Sequence, residues 1–371
     1  MHRLQFHYTL SRDSSPALVR NPLIDLLQAV ATQGSISAAA RALDLSYRHV
    51  WGALKRWEGE LGSELVVWEK GQSARLTEFG AKLLWAERQA QARLAPQIEA
   101  LRSDLERVFA VAFDPNAHVV TLHASHDDAL TALREEALDP AATPGGDRLH
   151  LDIRFCGSVD AIRGLNEGRC VMAGFHTLQH PAPGSLAERV YKRLLQPGLH
   201  KIIGFAQRTQ GLMVAPGNPL HLHSMADLAA GPARFINRPL GTGTRVVIDE
   251  LLAQSGLSAG AIHGYEQTEP SHTAAAHAVA SGAADVALGI EIAARAQGLD
   301  FVPLVQENYH LVCLKSALAQ PAIAALLVLL QSQRWQDKLA AMPGYVPHHS
   351  GQIQSLRRVL PWWDFARRKR P

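Results

Sequence analysis

Residues 34–62 read GSISAAARALDLSYRHVWGALKRWEGELG, and this stretch decides how the N-terminal part of the chain folds. It predicts a short helix of small residues over 38–43, a tight turn at Ser46, and a longer helix over 47–61 that Gly62 ends. Serine is among the residue types that cap helix N-termini. Two helices joined by a tight turn form the layout that places a recognition helix in the major groove of DNA.

The segments on either side complete a winged helix. Upstream, four apolar residues have the spacing of one helical face, and Gly34 stops that helix; they are Leu23, Leu26, Leu27 and Val30. Downstream, 64–69 and 74–77 are short strand-like runs around the polar tip 70–73. We therefore predict a winged helix-turn-helix DNA-binding domain over 21–80, with 1–20 as an N-terminal extension.

The second helix of the pair would present its N-terminal part to DNA. Arg48 can form a bidentate pair with a guanine edge, and the neighbouring basic side chains Arg41, Lys55 and Arg56 suit phosphates. A single charged side chain is more often a solvated surface group, so the prediction depends on the helices, the wing and the basic residues together. The residues predicted to contact a double-stranded DNA operator are Ser35, Ser37, Ser46, Tyr47, Arg48, His49, Trp51, Lys55 and Arg75.

A long helical pattern follows the wing. Its apolar residues recur at alternating steps of four and three, the seam of a coiled coil; they are Leu94, Ile98, Leu101, Leu105 and Val108. We predict a linker helix over 81–112 that pairs with a second chain, giving a homodimer or homotetramer. The alternative is a helix that packs on its own domain. Pro96 is expected to kink this helix or to mark a joint.

Strand-like and helical runs alternate from about residue 116 to residue 344. Strands are predicted at 119–122, 151–155, 171–174, 212–214, 234–236, 286–289 and 301–304. Such alternation is typical of parallel sheets covered by helices, and the segment is long enough to favour two lobes with a cleft between them. Ligands of such folds bind beyond the carboxyl ends of strands, at helix N-termini.

One strand-to-helix corner has the chemistry of an anion site. In Gly241–Arg245, two glycines let the backbone approach a ligand closely, Thr242 and Thr244 supply hydroxyls, and exposed N–H groups at a helix start favour negative charge. A helix cap with surface arginines is the plainer reading. Other corners place hydroxyl or imidazole groups where a cleft would lie. The predicted effector-binding residues are Ser125, Ser158, His176, Arg238, Thr242, Gly243, Thr244, Arg245 and His272. Asp127 would repel an anion, so we expect it to orient a neighbouring group.

Composition excludes several other classes of protein. The 371 residues are 47% hydrophobic with a formal charge of +3, which suits globular domains and not a strongly basic nucleic-acid coat. No apolar run is long enough for a membrane span, and no signal peptide is recognisable, so we expect a cytoplasmic protein without a membrane partner. Three widely spaced cysteines favour buried, reduced thiols. No metal-ligand spacing, nucleotide-binding fingerprint or convergent catalytic set is found, so we predict no metal, no cofactor and no enzymatic activity.

The N-terminal motifs resemble known regulators. The stretch Gly34–Leu43, together with Arg75–Gly80, is similar to the winged helix of LysR-type regulators. Leu45–Trp51 is more similar to ModE, the molybdate-responsive regulator. LysR-type recognition helices usually carry Ser-Gln-Pro where this chain has Ser46-Tyr47-Arg48. ModE also has a pair of small β-barrel domains that this sequence does not show, so its molybdate-binding residues are not carried over.

The later segment resembles a second family. Phe235–Arg245 is similar to the Arg-x-x-Gly-Ser-Gly-Thr-Arg stretch of a periplasmic-binding-protein-like (PBP-like) family, which is found fused to winged helices or to molybdenum-cofactor enzymes. Ala278–Gly289 and Pro343–Tyr345 fit the same family. The resemblance implies an α/β fold class: an N-terminal all-α, winged-helix domain, followed by a two-lobed, type 2 PBP-like effector domain of parallel or mixed sheets covered by helices. We place that effector domain at 113–350 and a basic C-terminal tail at 351–371.

These observations together predict a one-component transcriptional regulator that senses a small anion in the cleft. The resemblance implies control of molybdoenzyme or molybdenum-related genes, with molybdate or tungstate as the first expected effector and formate as the second. The alternative is a molybdenum-cofactor-handling protein or enzyme with an appended winged helix. A purely architectural DNA-binding protein is disfavoured because it would leave the long α/β segment without a role.

Overall fold

The computed structural model describes residues 21–68, 73–113, 117–139 and 149–363. The chain divides into two compact units, Met1–Ala95 and Pro96–Pro371. The residue predicted to mark a joint, Pro96, is the first residue of the second unit. The extension 1–20 and the arginine-rich end of the predicted tail lie outside the described residues.

Three helices form the body of the N-terminal unit: α1 (Pro22–Gln33), α2 (Ile36–Ala42) and α3 (Tyr47–Leu61). Ser46 caps α3 by accepting a hydrogen bond from the backbone N–H of His49 at 3.2 Å. Gly62 ends this helix in the left-handed conformation, with φ of 68°. The local signals of the sequence therefore predicted the helix-turn-helix correctly, with α2 beginning two residues earlier than expected.

A two-stranded wing follows the helices. Strand β1 (Val66–Val67) pairs antiparallel with β2 (Arg75–Leu76), while the predicted tip between them lies mostly outside the described residues. The strand pair joins a core formed mainly by the apolar faces of α1, α2 and α3. Ala74 donates its backbone N–H to the carbonyl of Gly34 at 2.8 Å, which ties the wing to the turn before α2.

Helix α4 (Glu78–Phe113) is 36 residues long and contains Pro96. Several residues of its predicted seam are exposed in the single chain: Leu94, Leu101 and Val108 expose 38, 54 and 60% of their surface. An apolar stripe left in water on a long helix is what pairing with another helix would cover. The homo-oligomer remains a prediction.

A nine-stranded mixed sheet forms the C-terminal unit, in the spatial order β4-β3-β5-β9-β6-β8-β7, with β10 and β11 also paired to β6. Helices cover the sheet, and apolar clusters lie between helices and strands. The strands are β3 (His118–Ala124), β4 (Leu149–Phe155), β5 (Met172–Leu178), β6 (His200–Val214), β7 (Phe235–Ile236), β8 (Val286–Ile290), β9 (Asp300–Leu314), β10 (Tyr345–Pro347) and β11 (Ile353–Ser355). The helices are α5 (Asp128–Ala137), α6 (Ser158–Asn166), α7 (Leu186–Tyr191), α8 (Met225–Ala230), α9 (Gly243–Gln254), α10 (His272–Ala280), α11 (Glu291–Ala296), α12 (Pro321–Gln331), α13 (Gln333–Ala340) and α14 (Leu356–Val359).

The first lobe of this unit contains β3, β4 and β5, and the second contains β7 and β8. Two long antiparallel strands, β6 and β9, run through both lobes. The C-terminal half of β9 pairs with β5 of the first lobe. The C-terminal end of β6, which pairs with β9 along its length, pairs on its other side with β8 of the second lobe. The sequence predicted only 212–214 of β6 and 301–304 of β9. The remainder carries buried polar residues such as Arg208 and Glu307, which break the apolar pattern by which strands are recognised.

The predicted tail 351–371 needs correction, because its first part is folded. Strand β11 pairs antiparallel with β6, and Leu356, Leu360 and Trp362 are buried in an apolar cluster of the first lobe. Burial of these apolar side chains stabilises the segment as far as Trp363 in a folded position, although arginines lie nearby in the sequence.

Two findings concern the predictions about membrane spans and cysteines. Within the described ranges, no helix is long and apolar enough to cross a membrane. All three cysteines are free: Cys170 and Cys313 are buried and Cys156 is half-buried. Burial raises the pKa of each thiol to about 11, so these cysteines stay protonated at neutral pH.

Candidate DNA-binding surface and effector site

The outer face of α3 has the surface expected of a recognition helix. Tyr47, Arg48 and Trp51 are exposed on its first turns, although large aromatic side chains more often seek burial. Ser37, His49 and Arg75 are also exposed, the last of them on wing strand β2. Ser35 and Ser46 act as N-caps of α2 and α3, which positions both helices.

Lys55 is less available to DNA than its position suggested. Its Nζ lies 2.7 Å from Oε2 of Glu58, and the other carboxylate oxygen of Glu58 accepts the backbone N–H groups of Leu65 and Val66 at 2.9 and 3.3 Å. Burial raises the pKa of Glu58, but these hydrogen bonds outweigh burial and hold that pKa below its ordinary value. Glu58 thus joins the recognition helix to the start of the wing, a role that the sequence analysis did not foresee.

All nine predicted effector residues are buried in the C-terminal unit, and most lie at the ends of strands or at helix N-termini. Ser125 and Ser158 follow β3 and begin α6, and their hydroxyl oxygens are 3.5 Å apart. His176 lies near the end of β5, while Thr244 and His272 begin helices α9 and α10. The structure thus brings Ser125 and Ser158 together and places the other predicted corners at strand ends and helix N-termini. That these corners share one ligand site stays a prediction.

The start of α9 lies against the opposite lobe. Thr242 caps the helix by accepting the backbone N–H of Arg245 at 3.3 Å, and its hydroxyl donates to the carbonyl of Pro239. A Cβ on Gly243 would come within 2.5 Å of the imidazole of His176, and one on Gly157 within 2.7 Å of the carbonyl of Gly241. Glycine is therefore required on both sides of this close approach. The sequence predicted that Gly243 lets the backbone approach a ligand, whereas in the structure its close neighbour is the side chain of His176.

Arg238 is a cation of this site that still has N–H groups without hydrogen-bond partners among the described residues. The residue is 2% exposed, and its Nη2 donates to the carbonyl of Pro270 at 2.9 Å. Its Nε and Nη1 have no hydrogen-bond partner among the described residues. Burial, followed by the charge of Arg208, lowers the pKa of Arg238 to about 9, so the group remains charged at neutral pH. Buried N–H groups without partners are costly, so these two nitrogens are able to donate to a ligand.

His176 offers a further unpaired donor. Its Nδ1 lies 3.4 Å from Nη2 of Arg208, and a guanidinium can only donate, so Nδ1 accepts and Nε2 carries the proton. Nε2 is buried without a partner in the described structure. Burial and the charges of Arg208, His310 and Arg238 hold the pKa of His176 well below its ordinary value, so the ring is neutral.

His272 extends the cluster from the second lobe. Its Nε2 is 3.3 Å from the hydroxyl of Thr244, which in turn lies 3.3 Å from Nε2 of Gln210. The other ring nitrogen, Nδ1, has no partner within the described ranges. Burial and the charges of Arg238 and Arg208 hold the pKa of His272 well below its ordinary value. The site is thus rich in polar groups and made mainly of neutral ones around Arg238.

A buried ion network borders the site, and the sequence analysis missed most of it. Arg208 on β6 forms ion pairs with Glu307 on β9 and with Asp127, the N-cap of α5. Tyr345 donates its hydroxyl to Asp127 at 2.7 Å. Arg208 and Glu307 are register partners in the long strand pair, where the two lobes meet. Asp127 orients neighbouring groups, as expected. A charged residue inside an apolar strand was the available signal for Arg208.

Arg245 is corrected as a ligand-binding residue. Its guanidinium lies 4.1 Å above the ring of Tyr265, its Nε is within 3.3 Å of both Asp249 and the Tyr265 hydroxyl, and its Nη1 donates to the carbonyl of Arg238. Its helix position i, i+4 from Asp249 explains this pairing. The structure therefore assigns Arg245 to the packing of α9, and Arg238 to the polar site.

Two further findings concern the space beside His176 and the side chains that could hold a metal ion. A cavity of about 20 Å³ adjoins His176 and α9, room for about one water molecule. Among the described residues, no group of three or more His, Cys, Asp and Glu side chains is placed to hold a metal ion.

Two family models match the chain. Residues 23–81 match the bacterial regulatory helix-turn-helix protein, lysR family, and residues 141–331 match the PBP superfamily domain. The first match covers the three-helix body and the wing. The second covers more than half of the chain and includes α9, His176 and Arg238.

Two curated relatives are similar in sequence. The uncharacterized protein YvgK of Bacillus subtilis is 31% identical over 200 residues, which span 54% of this chain and 64% of the relative. An uncharacterized protein from the 5′ region of the ferredoxin 2Fe-2S gene of Clostridium pasteurianum is 32% identical over 109 residues, 29% of this chain and 96% of the relative. The chain thus spans just under two thirds of the length of YvgK.

Solved regulators are similar at low identity. A mutant of OxyR from Corynebacterium glutamicum with bound hydrogen peroxide is 16% identical, covers 86% of this chain and 93% of its own, and has a TM-score of 0.44. CbnR in complex with its target DNA is 18% identical, with 82% and 96% covered and a TM-score of 0.42.

Proposed function

The chain belongs to the PBP superfamily and carries a helix-turn-helix of the bacterial regulatory lysR family, and on this basis we propose that it is a LysR-type, DNA-binding transcriptional regulator whose effector is a small anion. The family of its helix-turn-helix is one of regulators and not of enzymes. The α3 face with Tyr47, Arg48 and Trp51 contacts the operator, and the polar site around Arg238 holds the effector.

The unpaired buried donors of Arg238 carry this proposal. A buried guanidinium with two nitrogens lacking partners is destabilising in the unliganded protein, and an oxyanion would supply the missing acceptors. Nε2 of His176 and the N-terminus of α9 add donors and a partial positive charge of about +0.5 beside it. Each charge-assisted hydrogen bond made there is worth roughly 1.5–3 kcal/mol.

The identity of the effector and of the target genes is the finer part of the proposal. Resemblance to ModE-type winged helices and to molybdenum-related PBP-like proteins supports molybdate, tungstate or formate as the effector, and molybdoenzyme or molybdenum-related genes as targets. Effector binding changes the closure of the two lobes, and an oligomer formed through α4 conveys that change to DNA affinity.

A thermal-shift screen against molybdate, tungstate, sulfate and formate tests the proposal, because a ligand that binds only the native state stabilises it by RT ln(1 + [L]/Kd). We expect at least one anion to raise the melting temperature of the wild type. Arg238→Gln should abolish that increase, and Thr244→Val should remove most of it. Ser125→Ala should reduce it more weakly.

Arg234→Gln is the matched control. Arg234 lies four residues before Arg238, but it is exposed and paired with Asp285 at 2.7 Å. The control should keep the full anion-dependent shift. An anion response that survives Arg238→Gln unchanged would refute this site, and DNA binding by the unliganded variant checks that the N-terminal unit is intact.

A further inference from the structure

Resting on the effector site proposed above, we infer that its ligand is a monoanion. Asp127 and Glu307 select against dianions because they form ion pairs with Arg208, which is then not available to a second negative charge on the ligand. The inference concerns the charge class of the ligand and names two specificity-determining residues that do not need to touch it.

The guanidinium of Arg208 is already paired with two carboxylates inside the protein. Its guanidinium forms ion pairs with both Asp127 and Glu307, and all three side chains are at most 1% exposed. The Nε and Nη1 atoms of Arg208 donate to these carboxylates, so they are not available to a ligand. Burial and the neighbouring Asp127 raise the pKa of Asp128 to about 6, while the charge of Arg208 opposes this increase.

Arg238 therefore supplies the positive charge that remains for a ligand. Even this charge is opposed, because the buried carboxylate of Glu269 is close enough to raise the pKa of Arg238. The histidines do not add to it. His176 and His272 are neutral, since burial and the nearby arginines keep their pKa values well below the ordinary value. They contribute hydrogen bonds without charge.

A second negative charge on the ligand would thus have no partner in the site. In a buried environment, two unit charges interact far more strongly than in water, and an uncompensated buried charge is costly. A small carboxylate or another planar monoanion fits the charge of Arg238. Molybdate, tungstate and sulfate, which are dianions at neutral pH, do not. Of the effectors considered above, the inference selects the formate class.

Calorimetric titration of the full chain tests the inference at constant ionic strength. The monoanions are formate, acetate and nitrate, and the dianions are sulfate and molybdate. We expect the best monoanion to bind at least tenfold more tightly than either dianion. Glu307→Gln and Asp127→Asn each remove one negative charge with little change in shape, and asparagine keeps the helix-capping ability of residue 127. In each variant, the ratio of monoanion affinity to dianion affinity should fall by about tenfold or more.

Glu136→Gln is the matched control. Glu136 is a buried carboxylate of α5 that pairs with Lys338 at 2.9 Å and with Arg334, in a cluster of α5 and α13. Its removal should leave the selectivity unchanged. If one of the two site variants fails to fold, the other and the wild-type comparison still decide.

Three outcomes are distinguishable. The inference is supported if wild type binds monoanions more tightly than dianions, and if this difference in affinity becomes smaller in the two site variants but not in Glu136→Gln. A dianion that binds wild type as tightly as the monoanions overturns the inference and leaves the proposed anion site standing. Failure of every anion to bind wild type overturns both.

Discussion

The buried carboxylate of Glu58 allows the sharpest prediction about the DNA-binding unit. It accepts hydrogen bonds from the backbone N–H groups of Leu65 and Val66, at the point where the chain leaves α3 and enters the wing. Glu58→Ala leaves both N–H groups in a buried place without an acceptor. Each such loss costs roughly 1–3 kcal/mol, so we expect local destabilisation of about 2–6 kcal/mol.

Hydrogen exchange of the Leu65 and Val66 amides in the full chain measures this effect, because exchange reports local opening. A cost of about 2–6 kcal/mol corresponds to exchange faster by roughly 30- to 20,000-fold. Glu58→Gln retains an acceptor oxygen and should accelerate exchange much less. Glu60→Ala is the control, since Glu60 is exposed and its nearest charge contact, with Arg56, is 3.8 Å long.

The pH dependence has a defined sign. The folded-state pKa of Glu58 lies below its ordinary value of 4.5, so its contribution is complete above that value and is lost as the pH falls through the folded pKa. Glu58→Gln should therefore flatten the acid-induced loss of protection at Leu65 and Val66. Unchanged exchange in Glu58→Ala at neutral pH would refute the reasoning, since it would mean that the two N–H groups find other acceptors.

Four further predictions concern DNA, assembly and the effector. Arg48→Ala should weaken specific operator binding by about 1–3 kcal/mol and relax one base preference. Arg75→Ala should instead weaken binding to all DNA sequences by a similar amount and reduce the dependence of binding on salt concentration. Identical salt titrations of the two variants would contradict this division of roles. Lys55→Ala should have a smaller effect than its charge suggests, because Glu58 already neutralises it. Leu101→Asp should dissociate the oligomer in light scattering, and an unchanged mass would mean that the seam of α4 packs within its own chain. Gly243→Ala should abolish anion binding in calorimetry through its clash with His176, while Gly260→Ala, where the new methyl group has only Ser258 at 4.0 Å, should bind as wild type.

The sequence by itself determined the elements that depend on neighbours along the chain. Ser46 and Gly62 cap and end α3 through contacts within a few residues, and the apolar spacing of α1 and α4 follows from helical periodicity. The glycine at 243 could likewise be read as a place of close approach. These features need only local physics, so a pattern of residue types is enough to predict them.

Tertiary structure alone decided which polar groups meet. Arg208 and Glu307 are 99 residues apart in sequence and become partners only when β6 and β9 pair in one register. Arg238 and Arg245 could not be told apart from the sequence, and the position of Tyr265 gives one a structural role and leaves the other with unpaired donors. The C-terminal residues up to Trp363 belong to the fold because β6 offers them an edge. Each outcome depends on strand register and on long-range burial, which no local pattern records.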